Sequence, residues 1–108
     1  MLPNIPAQAE AHFGIPACGA ILNTINTRLD TGTISYIFEH GEAKVVFADT
    51  QVLSGIEAAM EKLSGSRQTL IEVPDEAAGF AATGKYQTYE KFLKTGDKNF
   101  NWIMPTNE

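Results

Sequence analysis

The stretch Lys44-Val-Val-Phe-Ala-Asp-Thr-Gln-Val-Leu-Ser-Gly-Ile-Glu-Ala-Ala-Met-Glu-Lys-Leu63 decides the fold. It opens on a short run of β-branched and aromatic residues, the composition of a buried strand. After Asp49 the pattern changes. Val52, Ile56, Met60 and Leu63 recur at intervals of three and four, which predicts a helix over residues 51–63, stopped near Gly65. A second apolar run, Thr69-Leu-Ile-Glu-Val73, follows and is ended by Pro74. Strand, helix and strand in this order imply a crossover connection and a parallel pair.

Working outward, Asp30 is placed to cap a helix whose apolar face is Ile34, Ile37 and Phe38, with Gly41 as its stop. Before it, Gly19-Ala-Ile-Leu-Asn-Thr-Ile-Asn26 is predicted as a buried strand ending near Thr24. Near the N-terminus, Asn4 is a good helix cap, Pro6 suits the first turn, and Ala9, His12 and Phe13 share a face. Gly14 and Pro16 argue locally for a break in that helix. Residues 74–85 are rich in Ala and Gly and read as a loop. Residues 86–95 read as a last helix with Tyr89, Phe92 and Leu93 facing inward. The expected fold class is α/β, a short parallel sheet of about three strands with flanking helices, forming a partial Rossmann-like subdomain. Val45, Val46, Phe47, Leu70 and Ile71 are expected as its buried strand residues, covered by Ile34, Ile37, Phe38, Ile56 and Met60.

Composition narrows the function classes. At 108 residues and 44% hydrophobic content, one folded unit over 1–108 is expected. A net charge of −5 with no cluster of Lys and Arg argues against nucleic acid. No apolar run approaches the roughly 20 residues of a membrane span. Cys18 is the single cysteine, so one chain forms no internal disulfide, and a cytoplasmic protein fits best.

Few residues carry candidate chemistry. Gly79-Phe-Ala-Ala-Thr-Gly84-Lys85-Tyr86 has the glycines and lysine of a phosphate-binding loop. That loop needs Ser or Thr after the lysine to hold magnesium, and Tyr86 stands there. Its first glycine also lies six residues beyond the predicted strand, so it reads as a chance match in a Gly/Ala-rich connection. Asn23, Asn26, Asp49 and Thr50 sit at or just past predicted strand ends, where open parallel sheets bind ligands. The same residue types suit turns and caps, and that is the role assigned to them. His12 and His40 with Cys18 lack metal-ligand spacing. His40 is expected at a helix end, His12 as a hydrogen-bonded boundary residue, and Cys18 as a buried inert thiol. Glu39, Glu42 and Asp49 fall on different elements and read as solvated surface. No catalytic, cofactor-binding or metal-binding residue is therefore assigned.

The stretch Glu10-Ala-His-Phe-Gly-Ile-Pro-Ala-Cys-Gly-Ala-Ile-Leu-Asn-Thr-Ile-Asn-Thr-Arg-Leu-Asp30 closely resembles the early part of the large domain of AMP-forming acid–CoA ligases. The similarity continues through Tyr36-Ile-Phe-Glu-His-Gly-Glu-Ala-Lys-Val-Val-Phe-Ala-Asp49 and returns at Tyr89-Glu-Lys-Phe-Leu-Lys-Thr-Gly-Asp97 and Trp102. The branch it looks most like handles medium-chain and methylthio-substituted fatty acids. The resemblance implies that the first helix runs on towards Cys18. It also implies that the phosphate loop, the acidic ribose motif and the late catalytic lysine fall after the position of Glu108. The expectation is then a truncated piece of a ligase that uses ATP, magnesium and CoA, with none of these bound by this chain and no ligase activity from it alone. The resemblance further places Met1 and Leu2 in the tail of a hydrophobic strand, leaving a sheet edge and apolar helix surface uncovered. Such surfaces predict a homo-oligomer, with Phe100, Trp102 and Ile103 adding to its interface. The competing expectation is a stand-alone α/β module that binds a small ligand or a partner, supported specifically by the near phosphate loop.

Overall fold

A computed structural model describes residues 1–65 and 68–106. Among the described residues four α-helices, α1 (Pro6–Ala17), α2 (Thr31–His40), α3 (Leu53–Glu61) and α4 (Tyr89–Leu93), surround three strands, β1 (Val45–Asp49), β2 (Thr69–Val73) and β3 (Gln87–Thr88). The strands form one parallel sheet in the order β1-β2-β3. Val45 to Asp49 stand opposite Thr69 to Val73 in register, while β3 adds two pairs beside Ile71 and Glu72. Met1 lies along the other edge of β1: its amino group donates to the Phe47 carbonyl at 2.7 Å, and the Asp49 N–H donates to the Met1 carbonyl at 3.1 Å.

The α/β class with a short parallel sheet is present as expected, but one of its strands is not the expected one. Residues 20–26 lie in no strand. The Gly19 backbone is left-handed at φ 76°, and the Gly19 and Ala20 N–H groups close α1 by donating to Pro16 and Ile15. This C-terminal motif turns the chain outward, leaving Ile21 95% exposed with no neighbouring strand to pair with. The third strand is Gln87–Thr88, inside the segment read as helix. Thr88 closes it and caps the shortened α4 by accepting from the Lys91 N–H. Polar β3 carries no apolar signal from which a strand could be read.

The helix α1 continues through Gly14 and Pro16, as the resemblance implies and against the local reading. Its N-cap position is Ile5, with no side-chain cap; Asn4 stands one residue too early because Pro6 takes the first helical position. Ala7 alone is buried on α1, and Ala9, His12 and Phe13, expected on a shared inner face, are exposed. The helix α2 follows its expectation closely. Asp30 accepts from the Thr33 N–H, Ile34 and Phe38 are buried, and Gly41 is the C-cap. The left-handed residue that completes this ending is Glu42 at φ 48°, with the Ala43 N–H donating to the Phe38 carbonyl at 3.0 Å.

Side-chain alternation along β1 and β2 divides the core. On one face Val46, Ala48 and Leu70 meet Ile34, Phe38, Leu53, Ile56, Ala59 and Met1. Burying a side chain the size of Phe38 stabilises by about 1.5–3 kcal/mol, so this face holds much of the fold together. On the other face Phe47 and Val73 meet Leu2, Ile5, Ala7 and Tyr89. The Phe47 ring makes edge contacts with Tyr89 and Phe92, centroids 5.8 and 5.4 Å away. Of the expected core, Val46, Leu70, Ile71, Ile34, Phe38 and Ile56 are buried, and Phe47, Ile37 and Met60 are partly so. Val45 is 51% exposed, because it enters the sheet before either helical layer covers it. Phe92 and Leu93, expected inward, are also exposed: α4 has five residues and turns too little surface onto the sheet.

Candidate functional site

The C-terminal ends of β1 and β2 gather the polar groups that a parallel sheet offers a ligand. Asp49 ends β1 and is 1% exposed. Its Oδ1 accepts from the Gln51 N–H at 2.8 Å and so caps a turn of 3-10 helix, Thr50–Val52. Its Oδ2 is buried and has no hydrogen-bond partner among the described residues. The nearby Met1 amino group is pushed down to about 6 by desolvation, which outweighs the attraction of Asp49.

Glu72 on β2 is fully buried. Its Oε1 accepts from Thr50 Oγ1 at 2.8 Å and from the Thr83 N–H at 2.9 Å, and its Oε2 accepts from Thr83 Oγ1 at 2.9 Å. The segment read as a near phosphate loop is therefore folded around one of the chain's own carboxyl groups. Gly79 and Gly84 take left-handed backbone at φ 86° and 78°, which lets residues 79–84 curl over the strand end. Lys85 Nζ sits 3.3 Å from Glu57 Oε1, and Tyr86 Oη donates to the same oxygen at 2.7 Å. The Tyr86 bond leads in holding the Glu57 carboxyl below its usual range, against partial desolvation and with help from Lys85.

The other sequence candidates are dispersed. Asn26 accepts from the Arg28 N–H at 2.9 Å in a turn. Asn23, Glu39 and Glu42 are exposed. His40 ends α2 and stacks on Tyr36, ring centroids 5.4 Å apart. His12 is exposed, with Nδ1 2.7 Å from the Gln8 carbonyl. Cys18, expected buried, is exposed at the end of α1, where its thiol donates to the Ile15 carbonyl at 3.0 Å. Among the described residues no group of three His, Cys, Asp or Glu could hold a metal, and no helix is long and apolar enough to cross a membrane. Sequence reading assigned Asp49 and Thr50 to caps and turns. Asp49 and Asn26 serve so, while Thr50 binds across to Glu72. It missed Glu72, whose signal is a carboxylate inside a run that both sheet faces would bury.

A second feature lies beyond β2. A cavity of about 210 Å³ is lined by Ile5, Glu10, Pro74, Asp75 and Tyr89 with their neighbours. Tyr89 Oη donates to Glu10 Oε2 at 2.6 Å, and desolvation together with that carboxylate raises the phenol well above its usual range.

Comparison with known proteins shows the family. The family model described as AMP-binding enzyme matches residues 1–100. The chain belongs to the AMP-binding enzyme family. It is 38% identical to a peroxisomal acetate/butyrate–CoA ligase of Arabidopsis thaliana, over 98% of this chain and 21% of that protein. It is 33% identical to a 2-methylpropanoate–CoA ligase of Humulus lupulus, over 100% of this chain and 20% of that protein. An acetate–CoA ligase of the same plant is 34% identical over 98% of this chain and 21% of its own length. The chain spans about a fifth of the length of these curated relatives. Its loop donors do not fit an AMP or ATP phosphate. The Thr83 N–H and hydroxyl are taken by Glu72, Lys85 is paired with Glu57, and Tyr86 occupies the position that a magnesium-holding hydroxyl would need.

Proposed function

We propose that this chain is an α/β unit of an acid–CoA ligase, supplying scaffold to a reaction whose phosphate-binding and catalytic groups lie in sequence outside it. That reaction activates a carboxylic acid with ATP, releases pyrophosphate and transfers the acyl group to CoA. One observation carries the reading: essentially the whole chain matches proteins named as acid–CoA ligases. The acids for which those relatives are named, acetate, butyrate and 2-methylpropanoate, support a short acid as the substrate of the whole enzyme. Taken alone, the chain is an inactive unit. Developing phosphate charge needs converging donors and cations, and here the candidate donors and Lys85 are already engaged by Glu72 and Glu57.

Two arms of one experiment test this. The 108-residue chain should give no acid-dependent exchange of pyrophosphate into ATP. A chimera of the Arabidopsis acetate/butyrate–CoA ligase, carrying this chain in place of its matching segment, should keep acetate-dependent exchange. A folded but inactive chimera would overturn the scaffold reading, and exchange by the chain alone would overturn its inactivity.

The free chain is proposed to self-associate. Phe13, Ile21, Trp102 and Met104 are 75%, 95%, 70% and 73% exposed, and the Ile103 N–H ties the C-terminal segment to α1 through the Ala17 carbonyl at 2.8 Å. Light scattering at micromolar concentration should report a dimer or larger species; a salt-insensitive monomer would remove this reading.

A further inference from the structure

The donors around Glu72 form a cradle in their own right. Thr50 Oγ1 comes from the turn after β1, whereas the Thr83 N–H and Oγ1 come from the loop after β2. Thr83 Oγ1 also accepts from the Lys85 N–H at 3.3 Å, so its proton is left for Glu72. Three neutral donors thus converge on the two oxygens of one fully buried carboxyl group, none of them from the strand that carries it. Neutral backbone and hydroxyl donors converging in a water-poor site are the usual means of holding an oxyanion.

We propose that Thr50 and Thr83 form an oxyanion-binding site which the chain fills with its own Glu72, so that Glu72 acts as a tethered carboxylate ligand and fastens residues 79–85 over the sheet end. The ligand class the cradle takes is a small carboxylate: its donors address two oxygens about one carbon, not the larger faces of a phosphate. The same contact keeps external anions off this end of the sheet. This inference stands on the cradle geometry and does not depend on the ligase reading.

Glu72→Ala removes a methylene and the carboxyl group, and formate has the carboxylate with a hydrogen where that methylene stood. Thermal midpoints of wild type, Glu72→Ala and Glu72→Leu are compared in ~100 mM sodium formate and in chloride of equal ionic strength, since a ligand stabilises only the state that binds it. Formate should raise the midpoint of Glu72→Ala by a few degrees more than chloride does, and should give no such excess in wild type or Glu72→Leu. Equal shifts in formate and chloride for a folded Glu72→Ala would overturn the proposal.

Should that variant not fold, Glu72→Gln provides a second readout. Its amide keeps the shape but opposes an N–H₂ to a hydroxyl donor, so the Thr83 amide should exchange with solvent about tenfold faster than in wild type. Unchanged Thr83 protection would show that the loop closes without the carboxylate, and would overturn the proposal equally.

Discussion

The two faces of the sheet are built to different standards. Against α2 and α3, Ile34, Phe38, Ile56 and Ala59 are between 0% and 3% exposed. Against α1 and α4, Ala7 is the single buried helical side chain, while Phe13, Phe92 and Leu93 remain 75%, 36% and 47% exposed. Apolar content is not the difference, since both pairs of helices carry aromatic and aliphatic residues. The difference is arrangement. Helices α2 and α3 concentrate those residues on one side and pack on each other as well as on the sheet, whereas α1 spreads them around its circumference and α4 is too short to close a layer.

The largest expected effect breaks the better-built face. Phe38→Ala should cost about 3–5 kcal/mol, a large part of the stability of a domain this size. Phe13→Ala should stay within about 0.5 kcal/mol, because little surface is buried there. Urea midpoints of the two variants measure the contrast directly. Similar losses at both positions would mean that the faces do not differ as described.

That asymmetry also explains how far the sequence could be read. Helix α2, strands β1 and β2, and α3 were legible because periodicity, caps and burial agree there. Asp30 caps, Ile34 and Phe38 face in, and Pro74 ends β2. Residues 20–26 misled because Ile21 and Leu22 resemble a strand by composition, while Gly19 directs them away from any partner. Strand β3 was invisible because Gln87 and Thr88 pair through backbone alone. At the site, the capping role of Asp49 was legible from residue type. The cradle around Glu72 was not, because it joins positions 50, 72 and 83, and long-range pairing of polar groups leaves no local period in sequence.

A second effect belongs to Met1, which packs in the better-built cluster. Burial holds its amino group down at about 6, below the 8.0 of a freely solvated chain terminus. The depressed value means that the unfolded chain binds more protons between these pH values, so stability rises with pH across that window. For the 108-residue chain with a free amino group, about 2–3 kcal/mol should be gained from below pH 6 to above pH 8. Urea unfolding from pH 5 to 9 measures this. The same series on chain acetylated at Met1 should lose that slope, and a slope that survives acetylation would assign the titration elsewhere.

The smallest effect sharpens the comparison from the helix backbone. Gly14 lies inside α1 and Gly55 inside α3, and a Cβ built at either position meets no atom within 4 Å. Alanine in a helix interior is favoured over glycine by about 0.5–1 kcal/mol, through the lower entropy of the unfolded chain. Gly55→Ala should deliver that gain in full, because α3 is held by Leu53, Ile56 and Ala59 on the sheet. Gly14→Ala should deliver it only as far as α1 stays helical up to Pro16 in solution, since a frayed segment gains nothing from a stiffer backbone. Equal gains, read as urea midpoints, would show that α1 folds with the rest of the chain despite burying Ala7 alone. A gain confined to Gly55→Ala would place the weaker face's helix among the first elements to open.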